Sequence, residues 1–235
     1  MIQIDHHPMS SPWKTVQILF SCCWMVMVFT FSAVQAQEDY EVNRARISAL
    51  ILQLGSGDFT TRELAQSRLR ELGLVAFDQL HAAQTDNDIE IAKRATYLIR
   101  SLQVQWALRT DAPEVRRLLA KYNDKNAAGR RSLMEQLAVL PEAKGLEALS
   151  RMVRFESDGR QSRYAALQVM AIKVPEQAEE AEAYATHLQE LHGLSSRTAA
   201  RWVEAYAESL VDTENALLLW DQITRKEEQL LTTFP

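Results

Sequence analysis

The chain repeats itself between Ile47 and Leu102 with a period of thirty residues. Sliding residues 47–72 forward by thirty places Ile47 on Phe77, Leu50 on Leu80, Phe59 on Ile89, Ala65 on Ala95, Leu69 on Ile99 and Leu72 on Leu102. A period of this size is the signature of stacked supersecondary units. A shift of sixty-eight fits again. Ile47 then falls on Val115, Leu50 on Leu118, Ile51 on Leu119, Arg62 on Arg130, Ala65 on Leu133, Leu69 on Leu137 and Leu72 on Leu140. A two-helix unit with one apolar stripe per helix cannot bury its own apolar surface, so it needs neighbours.

Helix punctuation accompanies the repeat. Thr60 and Glu63 form a T-x-x-E capping box, and Gly73 supplies a C-terminal stop. Asn87 and Glu90 are placed to do the same before the stripe Ile91, Ala95, Leu98, Ile99 and Leu102. Helices are expected over 41–53, 62–72, 74–83 and 88–106, the last being the longest of these four. Asp111 is expected to cap a helix with Pro113 in its first turn and a stripe of Val115, Leu118, Leu119 and Tyr122. Its partner runs over 127–140. Further stripes follow at Leu146, Leu149, Met152 and Val153, then at Tyr164, Leu167, Met170 and Ala171. Residues 175–191, 196–210 and 214–231 complete the helical pattern. No stretch alternates with period two long enough to read as a strand. The expected fold is therefore all-α, an α-solenoid of about five stacked helical hairpins.

The pattern Leu54-Gly-x3-Phe59-x2-Arg62-Glu63-x-Ala65-x3-Leu69-x2-Leu72-Gly73, followed by Asp86-x-Asp88-x-Glu90-Ile91-x3-Ala95, resembles the HEAT-type repeat of exported bacterial proteins. The resemblance covers about 45–104 by motif and 112–172 by spacing. It implies a curved HEAT/armadillo-like solenoid that binds proteins and carries no catalysis. The family pattern has an arginine after the acidic turn. Arg62 matches it, as does Arg130 by spacing, but the second copy has Ala92 there, with Lys93 and Arg94 displaced. Residues 202–231 resemble a tetratricopeptide unit weakly.

The first residues read as a targeting segment. Residues 16–31 are an apolar run preceded by Lys14, and Val34-Gln35-Ala36 ends it before the polar Gln37-Glu38-Asp39. This predicts a secretory signal peptide over 1–36, cleaved after Ala36, and an exported protein in the periplasm or outside the cell. The alternative is an uncleaved membrane anchor, since residues 16–34 are long enough to span a bilayer. Cleavage removes Cys22 and Cys23 and leaves a chain without disulfides. The organisation expected after it is HEAT-like repeats over 37–110, then further hairpins with a terminal helix over 111–235.

A search for chemistry returns little. His187 and His192 are five apart, the wrong spacing to share a helix face, and His81 sits on a repeat helix. All three are expected at surfaces or boundaries, and no cysteine completes a zinc site. Gly55-Ser56-Gly57 lacks phosphate-loop spacing and follows a helix. Ser195-Ser196 reads as a helix cap. Glu176, Glu179, Glu180 and Glu182 read as a solvated face, because a paired acid and base would need burial. No catalytic, cofactor or metal site is expected.

Charge is unevenly laid out. Residues 37–111 hold nine basic and eleven acidic residues, net −2; residues 112–174 hold twelve and seven, net +5; residues 175–235 hold four and twelve, net −8. Arg130, Arg131, Arg151, Arg154, Arg160 and Arg163 are the candidate partner-binding residues. Export, net negative charge and the absence of interleaved aromatics argue against nucleic acid. The expectation is a non-catalytic interaction or scaffold module for a protein partner, with head-to-tail self-association as one form. The alternative is an accessory, non-catalytic region of an enzyme or transport assembly. An enzyme in its own right would need convergent polar groups in a pocket.

Overall fold

The structure is a computed structural model that describes residues 42–193 and 195–233, with side chains to residue 228. The signal segment expected over 1–36 lies outside the described residues. The chain divides into two compact units, Met1–Ala49 and Leu50–Pro235. In the first, residues 42–49 are described; they are helical and bury Ile47. The second unit is described next.

Among the described residues the regular structure is helical throughout, with no strand. Helix α1 spans residues 42–53. It is followed by α2 (Phe59–Leu72), a 3-10 turn (Gly73–Ala76), α3 (Phe77–Ala83) and α4 (Ile89–Ser101). Then come α5 (Pro113–Leu119), α6 (Ala127–Ala138), α7 (Leu146–Phe155), α8 (Gly159–Met170), α9 (Ala178–His192), α10 (Thr198–Ser209) and α11 (Thr213–Thr233). Sequential helices stack, with α3 on α4, α7 on α8, α9 on α10 and α10 on α11. The arrangement is compatible with a helical repeat fold.

The thirty-residue shift holds in burial. Ala65 and Ala95 are fully buried, Leu69 and Ile99 are buried, and so are Leu50 and Leu80. Phe59 and Ile89 match as well, but as exposed residues at 63% and 69%. The equivalence extends to the caps. Asp58 accepts from Thr61 N at 2.7 Å, and Asp88 accepts from Glu90 N at 2.8 Å. Before each cap, Ser56 Oγ accepts from Asp58 N and Asp86 Oδ1 from Asp88 N. Asn126, at the sixty-eight shift from Asp58, caps α6 by accepting from Gly129 N.

These caps correct the capping boxes expected at Thr60 and Asn87. The turn is shorter than the motif suggests, so Phe59 and Thr60 already lie inside α2. Asp58 holds the extended backbone a cap requires. Asp111 is likewise not a cap. Ala112 takes that place, and the Asp111 carboxylate accepts from Leu108 N and Arg151. At the other end of α2, Gly73 closes the helix with φ 58°, a left-handed backbone that glycine adopts without a Cβ penalty.

Three further expectations change. The fourth helix ends at Ser101, not Trp106, and is shorter than α2; Leu102 is extended. Trp106 belongs to the core that follows, where its ring lies 4.9 Å from Tyr122. The inner face of α8 is Ala165, Ala166 and Val169 with Gln161 and Ser162, while Leu167 is exposed. Small residues let α8 approach α7 closely, and Ser162 Oγ donates to Val153 O at 2.7 Å across the contact. Ser195 does not cap the following helix; Arg197 stands at the cap position, and Ser195 Oγ accepts from Arg197 N at 3.4 Å.

The main core runs from Trp106 to Ala207 and includes Val115, Leu137, Leu149, Met152, Leu188 and Val203. Phe77 reaches it from α3, edge-on to Phe155 with centroids 5.6 Å apart. An array in which each unit touches only its neighbours would not make this contact.

Candidate partner-binding surface

The six arginines do not form one stripe. Arg130 leaves the first turn of α6 and folds back: its Nε donates to Lys125 O at 3.2 Å, and its Nη1 meets Glu156 Oε1 at 2.8 Å. Its guanidinium also lies over the Tyr122 ring at 5.0 Å. Arg151 donates to Trp106 O at 2.9 Å and pairs with Asp111. Arg154 lies over the Phe155 ring at 4.9 Å. Arg130 and Arg151 hold loops and helix ends against each other, while Arg154 rests on its neighbour in the chain. Buried ion pairs are poor donors to a partner because their charge is already compensated.

Arg131, Arg160 and Arg163 remain on the outer side of α6 and α8, which pack together. Arg131 lies 5.3 Å over the Tyr164 ring, and the Tyr164 hydroxyl donates to Glu135. Arg160, Tyr164 and Leu167 follow at helical spacing on α8, with Arg160 and Leu167 exposed. The patch is thus basic, with one aromatic ring and one exposed leucine. Arginine and tyrosine are the residue types enriched at protein interfaces. Sequence reasoning missed Tyr164 and Leu167 because their apolar spacing placed them inside. The short side chains at 165 and 166 were the available signal.

The first two repeats carry a second charged surface. Arg94 Nη1 meets Glu63 Oε1 and Gln66 Oε1, each at 2.8 Å, while its Nε meets Glu90 at 2.6 Å. Arg62 donates to Ser56 O at 2.6 Å and approaches Glu90 at 3.7 Å. The second copy, which lacks arginine at position 92, therefore still bridges to the first through Arg94. The Glu90 carboxyl is held below its usual range, chiefly by the Arg94 hydrogen bond.

The histidines differ from one another. His187 Nε2 lies 2.8 Å from Glu147 on the surface. His81 is half-buried and stacks on Phe77. His192 corrects the surface expectation: it is 1% exposed, with Nε2 3.1 Å from Ser150 Oγ. Burial, then the nearby Arg154, push the His192 ring down to about 3. Ser150 is equally enclosed, so the pair offers no nucleophile to a substrate. Among the described residues no group of three or more His, Cys, Asp or Glu is placed to hold a metal ion. No described helix is long and apolar enough to cross a membrane. An open cavity of about 470 Å³ lies between α5 and α6, lined by Glu114, Arg117, Leu118, Gln136, Val139 and Leu140. No family model, curated protein or solved structure matches the chain.

Proposed function

We propose that this chain is a non-catalytic scaffold of HEAT-like helical hairpins, exported after loss of residues 1–36, that binds a protein partner. The observation that carries the reading is the thirty-residue equivalence, which extends from the buried positions to the exposed Phe59 and Ile89 and to the caps Asp58 and Asp88. Repeated surfaces of this kind serve extended contact with another macromolecule.

The contact surface we favour is the α6–α8 patch of Arg131, Arg160, Arg163, Tyr164 and Leu167. It narrows the six-arginine set, since Arg130 and Arg151 have partners inside the fold and Arg154 lies against the adjacent Phe155. Contacts through exposed charges are screened beyond about 8 Å at physiological ionic strength, so binding should weaken as salt rises. The test is quantitative capture from the native host with the wild type and with an Arg131→Glu, Arg163→Glu double variant. A partner enriched by the wild type and lost in the variant supports the reading. Equal capture by both removes the patch from it. Intact mass of the protein recovered from the host tests the export part, with Gln37 as the expected first residue.

A further inference from the structure

His81 and Arg197 stand 116 positions apart and meet where α3 faces the start of α10, with Arg197 Nη2 3.5 Å from His81 Nε2. The same guanidinium donates to Arg154 O and Glu156 O, each at 2.6 Å, and lies 5.3 Å over the Phe77 ring. One cation thus closes the C-terminal end of α7, where carbonyls lack helical partners, and grips α3 through a ring face and a ring nitrogen. His81 Nε2 accepts from Arg197 only while the imidazole is neutral, with its proton on Nδ1. Protonation turns that acceptor into a donor and sets two cations side by side in a half-buried joint.

We propose that His81 and Arg197 form an acid-sensitive clasp, which lets the α3–α4 hairpin part from the end of α7 and the start of α10 when the ring is protonated. The groups facing His81 are few. Asp78, one turn back on α3, and the Ser157 carbonyl favour the protonated ring. Burial and Arg197 oppose them and prevail, so His81 titrates below the usual histidine range. At the end of α7, Arg154 lies over Phe155, and the Glu156 carboxylate is held by Tyr122 and Arg130. Helix α4 turns Ile91, Ala95, Leu98 and Ile99 inward, all uncharged. With a folded value below the unfolded one, the clasp is whole above about pH 6.5 and is lost as pH falls through the lowered folded value.

Hydrogen exchange of the full chain, corrected for intrinsic rates, tests this at about pH 7.5 and about pH 5. Amides of Phe77–Ala83 and Ile89–Ser101 should lose protection at the lower pH beyond whatever loss α7 and α8 show. In His81→Gln, which keeps a neutral polar group, that excess should vanish. Equal loss in α3–α4 and in α7–α8, no loss in α3–α4, or the same excess loss in His81→Gln would overturn the clasp. Proton NMR of the wild-type His81 ring gives a check that needs no variant. Its titration midpoint should coincide with the opening of α3–α4, and a separate midpoint overturns the proposal.

Discussion

Tyr122 and Glu156 meet beneath the surface, the phenol donating to Oε2 at 2.7 Å with both residues 1% exposed. The second carboxylate oxygen takes Arg130, so one buried acid is held by a neutral donor and a cation. Removing the phenol oxygen in Tyr122→Phe leaves a buried charge short of a donor and should cost about 1–3 kcal/mol. The phenol carries a pH signature as well. Burial, then the Glu156 charge, raise it far above its ordinary value of 10.0, and burial pushes Tyr184 up to about 12. Above about pH 10 the unfolded chain loses phenolic protons that the folded chain keeps, so stability should fall as pH rises. Urea titrations at neutral and alkaline pH should show that fall, and it should be shallower in Tyr122→Phe.

The repeat alignment predicts matched costs. Leu69 and Leu137 occupy equivalent positions and are both fully buried. Each change to Ala should cost about 2–5 kcal/mol in chemical denaturation. Phe59 is exposed at the start of α2, with Arg62 5.8 Å from its ring. Phe59→Ala should stay within about 1 kcal/mol, the size of an exposed cation–π contact. A surface-sized effect at Leu137 would break the sixty-eight-residue equivalence.

Gly145, just before α7, packs directly against the backbone of Leu137 in α6. A Cβ at this position would lie 2.1 Å from the Leu137 carbonyl oxygen, a backbone atom that cannot turn aside. Gly145→Ala should therefore destabilise by about 1–3 kcal/mol or more, as overpacked sites do. Glu142 and Ala143, in the same connection, hold φ of 56° and 51°. Ala143→Gly should be neutral or stabilising, because left-handed backbone carries no Cβ penalty in glycine. Thermal unfolding should place Gly145→Ala below the wild type and Ala143→Gly at or above it.

His192 predicts acid sensitivity of the core. Its folded value of about 3 lies below the unfolded value near 6.5. Its contribution is complete above about pH 6.5 and declines toward pH 3, as the unfolded chain binds a proton that the folded chain refuses. Stability of His192→Gln should depend less steeply on pH across that window. A slope equal to wild type would place the acid response elsewhere.

Periodicity made the buried faces of α2, α3, α4 and α7 legible, because local spacing decides which side of a helix turns inward. It failed on α8, where Ala165 and Ala166 face inward and Leu167 does not. There the closeness of α7 outweighs side-chain size, and closeness is not written in one helix. Caps were misplaced because Asp58 and Thr60 are both good cap residues two positions apart. The charged groups were least legible. Arg130 and Arg131 are neighbours in sequence, yet one is bound to Glu156 and the other lies over Tyr164. Their destinations depend on residues 26 and more positions away, which composition does not record.

The grip of Arg197 on α3 and α7 also bears on how this chain can change length. Open helical arrays gain or lose a unit by duplication or deletion, since each unit meets only the next. Here a unit inserted between residues 84 and 153 would carry α7 and Arg197 away from Phe77 and His81. A unit inserted between 157 and 196 would part Arg197 from the carbonyls of Val153, Arg154 and Glu156. A hairpin gained or lost between α3 and α10 would therefore cost this chain the contacts that Arg197 makes on one side or the other.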